Sequence, residues 1–168
     1  MKTIILFSHS YFAQSKANAA LLKSVEGNAD FEIRNLNALY PDYKINVGAE
    51  VAALKAADKI AIQFPLFWYS SPAIFKAWQD DVLTQFYASA ASPLKGKSVA
   101  FVVTIGGTKE NYQSEDSSEF SALERFLFPQ TLTLQNCGAN VKNPLLFFGV
   151  MNGAAVSPEK YLQFLNNF

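Results

Sequence analysis

The feature that most narrows what this chain can fold into is a series of short, unbroken apolar runs separated by amphipathic stretches. Residues 3–8 (TIILFS), 59–64 (KIAIQF) and 97–104 (KSVAFVVT) are apolar almost throughout. A strand with one wet face alternates apolar and polar residues, whereas a strand buried on both faces of a parallel sheet does not. Between the first runs, residues 15–25 place Ala17, Ala20, Leu21, Ser24 and Val25 on one helical face and close at Gly27-Asn28, as a helix C-cap does. The same alternation predicts further strands at 31–35 and 145–148, and helices at 47–56, 73–83, 118–137 and 158–165. Pro129 lacks an N–H and predicts a kink or split in the helix over 118–137, while Pro158 suits a first helical turn. Five strands alternating with helices predict an α/β fold, a doubly wound five-stranded parallel sheet with helices on both faces, because parallel strands need right-handed crossovers.

The chain of 168 residues, half of them hydrophobic, is long enough for one substantial core and has no linker, so a single domain over 1–168 is expected. Fourteen basic residues balance fourteen acidic ones. Such a balance provides no field for nucleic acid or an anionic membrane surface. No run approaches the roughly 20 apolar residues of a spanning helix, and the first residues do not read as a signal peptide, so a soluble cytoplasmic protein is expected. With one cysteine, Cys137, no internal disulfide forms, and its place before Gly138 at a helix end predicts a buried structural thiol. Asp80-Asp81 have no matching ligands, so no metal site is expected. The aromatic content, 15 Phe, 7 Tyr and 2 Trp, calls for a pocket or an interface to line.

In doubly wound sheets ligands bind beyond the carboxyl ends of the strands, at the switch in strand order. The unusual residues of this chain follow the first, third and fourth strands. After the first comes a hydroxyl-rich loop, Ser8 to Asn18, entering a helix; its free amides, with Ser15 and Asn18 beside them, make a site for a phosphate, although Ser15 is equally what a plain helix cap requires and His9 could be an ordinary loop residue. Neither GxGxxG nor GxxxxGK[ST] occurs, which removes the main support for a Rossmann or P-loop reading. A hydrolase triad would have to use His9, the only histidine, and no GxSxG elbow accompanies it. After the third strand, Pro65-Leu66-Phe67-Trp68-Tyr69 runs to Ser70-Ser71-Pro72, three aromatics in a turn stiffened by proline at both ends. Its backbone amides suit the edge of a planar ring such as a flavin. After the fourth, Thr104-Ile105-Gly106-Gly107 lets backbone approach a ligand closely beside a hydroxyl. Trp78, spaced helically from Ile74 and Phe75, reads as core or interface. The polar stretch Thr108 to Glu119 is long enough for a lid or a dimer contact.

These segments resemble the flavodoxin-like NAD(P)H:quinone oxidoreductases, a family that includes ancillary proteins of glutathione-gated potassium efflux systems. The resemblance covers nearly the whole chain. It runs through His9, Ser15 and Asn18, residues 39–42 (LYPD), the block 64–73 (FPLFWYSSPA) with Lys76, Trp78, Asp80 and Val82, residues 104–107 (TIGG), then Pro129 and Cys137-Gly138. It implies that His9, Ser15, Lys16, Ala17 and Asn18 bind a flavin's phosphate end. It further implies that Pro65, Leu66, Phe67, Trp68 and Tyr69, with Thr104, Ile105, Gly106 and Gly107, hold the isoalloxazine. FMN is the expected cofactor, with FAD the alternative, and NAD(P)H the diffusing reductant. Tyr112 resembles the tyrosine beside the flavin in animal members, which follow it with a histidine; residues 113–119 contain none, so a tyrosine–histidine relay is not available. Where bacterial members carry a glycine-rich turn, this chain has Gln85 to Ala90, and Phe86 and Tyr87 would close the substrate site across a homodimer interface, with Trp68 and Tyr69 also facing substrate.

The expected activity is two-electron hydride transfer from NAD(P)H to a quinone at one shared site. Alternatives are a regulatory subunit docking on a potassium efflux transporter and a nitro or azo reductase. A flavodoxin-type electron carrier fits less well, since such carriers are strongly acidic and this chain has no net charge.

Overall fold

The computed structural model describes residues 1–112 and 122–168. The elements run β1 (Thr3–Phe7), α1 (Lys16–Lys23), β2 (Phe31–Asn35), α2 (Leu36–Leu39), α3 (Val47–Ala56), β3 (Lys59–Pro65), α4 (Ala73–Trp78), β4 (Ser98–Thr104), α5 (Ala122–Asn136), β5 (Asn140–Val141), β6 (Leu145–Phe147) and α6 (Pro158–Asn167). Strand order is β2-β1-β3-β4, with β5 and then β6 paired to the far side of β4, all parallel. The order reverses between β1 and β3. That reversal opens the crevice in which such sheets bind ligands.

The unbroken apolar strands serve two cores at once. Ile4 and Leu6 of β1 face a layer built with Leu54, Ile74, Phe75, Trp78, Leu127 and Leu134 of α3, α4 and α5. Ile5 and Phe7 face the other layer, with Leu21, Leu22 and Val25 of the α1 region and Tyr161 and Leu165 of α6. Both faces of the sheet are therefore dry, which is why the central strands cannot alternate.

The outermost strand differs from expectation. The sequence pattern predicts one strand over 145–148, and the position is filled by two short pieces, because Pro144 has no N–H to continue the ladder after Lys142 donates to the Val99 carbonyl (2.8 Å). The helix predicted over 73–83 is α4 followed by a wide π-type turn, Gln79–Leu83. The extra residue in that turn lets the consecutive Val82 and Leu83 both face the core. Pro129 lies within α5 and does not split it. The short helix α2 has no counterpart in the sequence-based expectation.

Three charged side chains fasten the periphery. Glu50 of α3, almost fully buried, pairs with Arg34 of β2 and accepts hydrogen bonds from Tyr40 Oη (2.5 Å) and Trp78 Nε1 (2.9 Å). Tyr40 and Trp78 are thus joined through one carboxylate, and burial pushes the Tyr40 phenol up. Lys97 donates to the carbonyls of Lys55 (3.0 Å) and Ala57 (2.6 Å) at the end of α3, and Lys59 to those of Leu165 (2.7 Å) and Asn166 (3.0 Å) in α6. Each ammonium stands where a helix presents unsatisfied carbonyls.

Replacing Glu50 with Ala leaves Arg34 with Glu32 alone (3.0 Å) and strands the buried Tyr40 and Trp78 donors, and should cost about 3–5 kcal/mol in urea unfolding. Lys76→Ala, which removes only the exposed pair with Asp80, should cost under about 1 kcal/mol. Equal losses for the two variants would contradict this assignment.

Candidate functional site

One cleft of about 580 Å³ opens at the carboxyl ends of β1, β3 and β4. Its walls include His9, Ser15, Lys16, Ala17, Asn18, Pro65, Leu66, Phe67, Trp68, Tyr69, Thr104, Gly106, Gly107 and Tyr112. Each of these is among the residues the sequence singles out. Ile105 is the exception within its segment: its side chain is fully buried in the core and its N–H donates to Phe147 O (2.8 Å). Phe86 and Tyr87 lie outside this cleft; Phe86 leans on the core, and Tyr87 lines a separate groove with Cys137 and Gln79. Cys137 is buried, and burial pushes its thiol up, as a structural thiol requires. Of the stretch Thr108 to Glu119, residues 113–119 lie outside the described residues.

At the helix end of the cleft, Ser15 caps α1 by accepting from Asn18 N (3.2 Å). The amides of Lys16 and Ala17 donate to no described residue, which leaves the positive end of the helix directed at the cleft. His9 stands opposite. Its N–H donates to Asn37 Oδ1 (2.8 Å), and its Nδ1 accepts from Tyr11 N (3.1 Å). An accepting Nδ1 places the ring proton on Nε2, so neutral His9 is a donor at its other edge. Desolvation lowers its pKa below the ordinary histidine value, which preserves that neutral form.

The aromatic turn is a two-residue hairpin. Phe67 N donates to Ser70 O (2.9 Å) and Ser70 N to Phe67 O (3.0 Å), with Trp68 (φ 48°) and Tyr69 (φ 63°) at the two central positions. Both lie in the left-handed region, where a residue with a Cβ costs about 1–2 kcal/mol. Strain of this kind persists where the surrounding structure imposes it, and it gathers at binding sites. The turn is held by Leu66 N donating to Thr104 O (2.8 Å), by Pro65 in β3 and by Pro72 at the start of α4. Trp68, 94% exposed, stands at the rim, while Phe67 packs edge-on against His9 (5.4 Å). The amides of Trp68, Tyr69, Gly106 and Gly107 donate to no described residue. A Cβ on Gly106 would meet only the exposed Met151 side chain, 2.7 Å from its Sδ, which can turn aside.

Below the floor runs a chain of buried side chains that sequence reasoning does not find. Asn18 Nδ2 donates to Thr104 Oγ1 (2.9 Å), Gln63 Nε2 to Asn18 Oδ1 (3.0 Å), and Tyr161 Oη to Gln63 Oε1 (2.5 Å). Gln63 is legible in the sequence only as a polar residue inside an apolar strand. Tyr11, Gln14, Val150 and Met151 also line the cleft, outside the sequence-based expectation. The available signal for Met151 is the pair Gly149 and Gly153, both left-handed, which bound its turn.

The cleft's features fit a flavin mononucleotide: a helix start and a neutral imidazole for a phosphate, and rigid free amides with a hydroxyl for a ring edge. Comparison with known proteins agrees with that geometry. The model of the flavodoxin-like fold family matches residues 1–167. General stress protein 14 of Bacillus subtilis is 35% identical over 157 residues, covering 92% of this chain and 89% of the relative. The glutathione-regulated potassium-efflux system ancillary protein KefF of an Enterobacter species is 37% identical over 137 residues, covering 80% and 76%. The crystal structure of general stress protein 14 from Treponema denticola, in complex with FMN, superposes with a TM-score of 0.88 at 30% identity, covering 99% of this chain and 98% of that one. The chain belongs to the flavodoxin-like fold family that includes these relatives.

His9 is the only histidine, so its ring proton resonance can be titrated by NMR without assignment. With no ligand bound, the midpoint should lie below about 6.5. The fold favours the neutral ring, so this contribution to stability is present above that pH and lost as pH falls through the folded-state value. A midpoint at or above 6.5 would contradict the buried, accepting Nδ1.

Proposed function

We propose that the cleft binds FMN and that the protein is an FMN-dependent oxidoreductase, carrying a two-electron reduction from NAD(P)H to a quinone or a similar small acceptor. The observation that carries this reading is the meeting, in one cleft, of a phosphate-suited helix start with four amides on two turns that have no partner among the described residues. Relatedness to a protein crystallised with FMN supports FMN over FAD. When bound, FMN supplies the hydride chemistry.

The chain's own residues have distinct tasks. Ser15, the amides of Lys16 and Ala17, and His9 Nε2–H hold the phosphate, with Asn18 fixing Ser15. The amides of Trp68, Tyr69, Gly106 and Gly107, with the Thr104 hydroxyl, hold the ring edge, between walls formed by Pro65, Leu66 and Phe67. Ile105 acts from behind, since its buried side chain anchors the turn that presents the two glycines. Fixed dipoles of this kind stabilise charge that develops on reduction without reorganising. Tyr112, whose ring lies within 3.1 Å of a Cβ placed on Gly107, borders the space for reductant and acceptor, and is the residue we assign beside the reaction. With His9 engaged at the far end, no second histidine exists in the chain to relay its proton.

The exposed Trp68 and Tyr69 at the rim favour a homodimer in which the partner's surface completes the acceptor site, and that arrangement would give Phe86 and Tyr87 their role. A second reading, docking on a potassium efflux transporter, is favoured by the relatedness to KefF. The two are compatible. Among the described residues no helix is long and apolar enough to cross a membrane.

Anaerobic mixing of FMN-loaded protein with NADPH or NADH should bleach the flavin absorbance within seconds, and a quinone should restore it. Gly107→Val, which drives a branched side chain into Tyr112, should lower the rate of both phases at least tenfold by disturbing the stacking space. A bound flavin that neither nucleotide bleaches would defeat the proposal.

A further inference from the structure

The buried chain beneath the cleft has a direction, and the direction has a consequence for the ligand. Tyr161 is fully buried in α6, and its phenolic proton has one acceptor, Gln63 Oε1 (2.5 Å). Burial pushes this phenol up, which favours its protonated, donating form. Because Gln63 must present its oxygen to Tyr161, it presents its NH₂ to Asn18 Oδ1 (3.0 Å). Asn18 must then present its own NH₂ to Thr104 Oγ1 (2.9 Å) and Ser15 Oγ (3.4 Å). Ser15 Oγ also accepts from Asn18 N (3.2 Å). Both hydroxyl oxygens are therefore occupied as acceptors on the protein side, and no described residue accepts from either. A hydroxyl has one proton to give. Those of Ser15 and Thr104 are left for the cleft, which both residues line.

We propose that Tyr161 and Gln63 are positioning residues that set the polarity of the site: through Asn18 they compel Ser15 and Thr104 to act as donors, selecting a ligand that presents acceptors at both ends of the cleft. The inference rests on the FMN reading and deepens it. FMN offers phosphate oxygens at one end and ring acceptors at the other, and the Thr104 donor gains strength as charge gathers on the ring edge during reduction. Reversing the chain turns the Asn18 oxygen towards the two hydroxyls. Their protons are then drawn into the protein and their lone pairs face the ligand.

The test uses the whole protein, FMN and riboflavin. In Gln63→Leu/Tyr161→Phe both partners of the first link become apolar, and the Asn18 oxygen loses the donor that fixes its orientation, a loss that urea unfolding measures separately from ligand affinity. The affinity for FMN should fall at least tenfold, and riboflavin, which lacks the phosphate, should fall by less because only the Thr104 donor bears on it. If the reduced form weakens a further tenfold relative to the oxidised form, the two-electron potential of the bound flavin drops by about 30 mV. Gln63→Glu provides the second arm. Protonated, the introduced carboxyl accepts at one oxygen and donates at the other, as the amide does; ionised, it can only accept, and it reverses the chain. The FMN affinity of this variant relative to wild type at the same pH should be near unity at pH 5.5 and at least tenfold lower at pH 8. An affinity and potential within twofold and a few millivolts of wild type in the double variant, or a Gln63→Glu ratio that does not change with pH, would overturn the proposal while leaving FMN binding by the wild type intact. Failure of the wild type to bind FMN would instead remove the functional reading, and the relay's role with it.

Discussion

The side chain of Asn18 is the point on which the binding end of this sheet depends. It is a neutral amide with almost no exposure, held between α1, β3 and β4, and every polar atom it carries is engaged. A buried amide left half satisfied costs about as much as a lost hydrogen bond or more. The helix start, the end of β4 and the middle of β3 are therefore fixed relative to one another. The last helix joins through Tyr161, so the wall of the second core and the floor of the cleft are one structure.

Around that fixed floor the chain accepts local strain. Trp68 and Tyr69 hold left-handed backbone conformations that their side chains disfavour, and two hairpin hydrogen bonds, two prolines and the contact to Thr104 keep them there. The result is a rigid edge with outward amides. The opposite edge reaches the same end by the reverse route, since Gly106 and Gly107 remove side chains where Met151 and Tyr112 come close. One turn is stiff because it is strained, the other open because it is bare. Together they line one end of the cleft with outward-facing backbone amides, which suits a ring edge.

Much of this is legible in the sequence, for identifiable reasons. A strand with both faces dry announces itself, so β1, β3 and β4 fall nearly to the residue where the apolar runs put them, and the cleft residues follow their ends by the logic of the fold. Ile105 shows the limit of reading a motif as a unit: within 104–107 the alternation of a strand end sends its side chain into the core while its neighbours face the ligand. Gln63 and Tyr161 cannot be connected from sequence because 98 positions separate them and only the packing of α6 on the sheet brings them together. Glu50 is equally silent, a carboxylate on an ordinary helix face until Arg34, Tyr40 and Trp78 converge on it. The split of the last strand turns on Pro144, whose missing donor matters only once β4 is known to be its neighbour.

A rigid, donor-rich cleft ending at a helix start makes a specific demand on its occupant: a planar ring bordered by acceptors, joined to a single phosphate. The FMN complex of a 30% identical protein points to the same molecule. The most direct test is mass spectrometry of the small molecule released by denaturing protein purified without added cofactor and, in parallel, after incubation with equimolar FMN and FAD. The account predicts FMN at close to one per chain and preferred over FAD. Release of no flavin under either condition, or preferential retention of FAD, would contradict it.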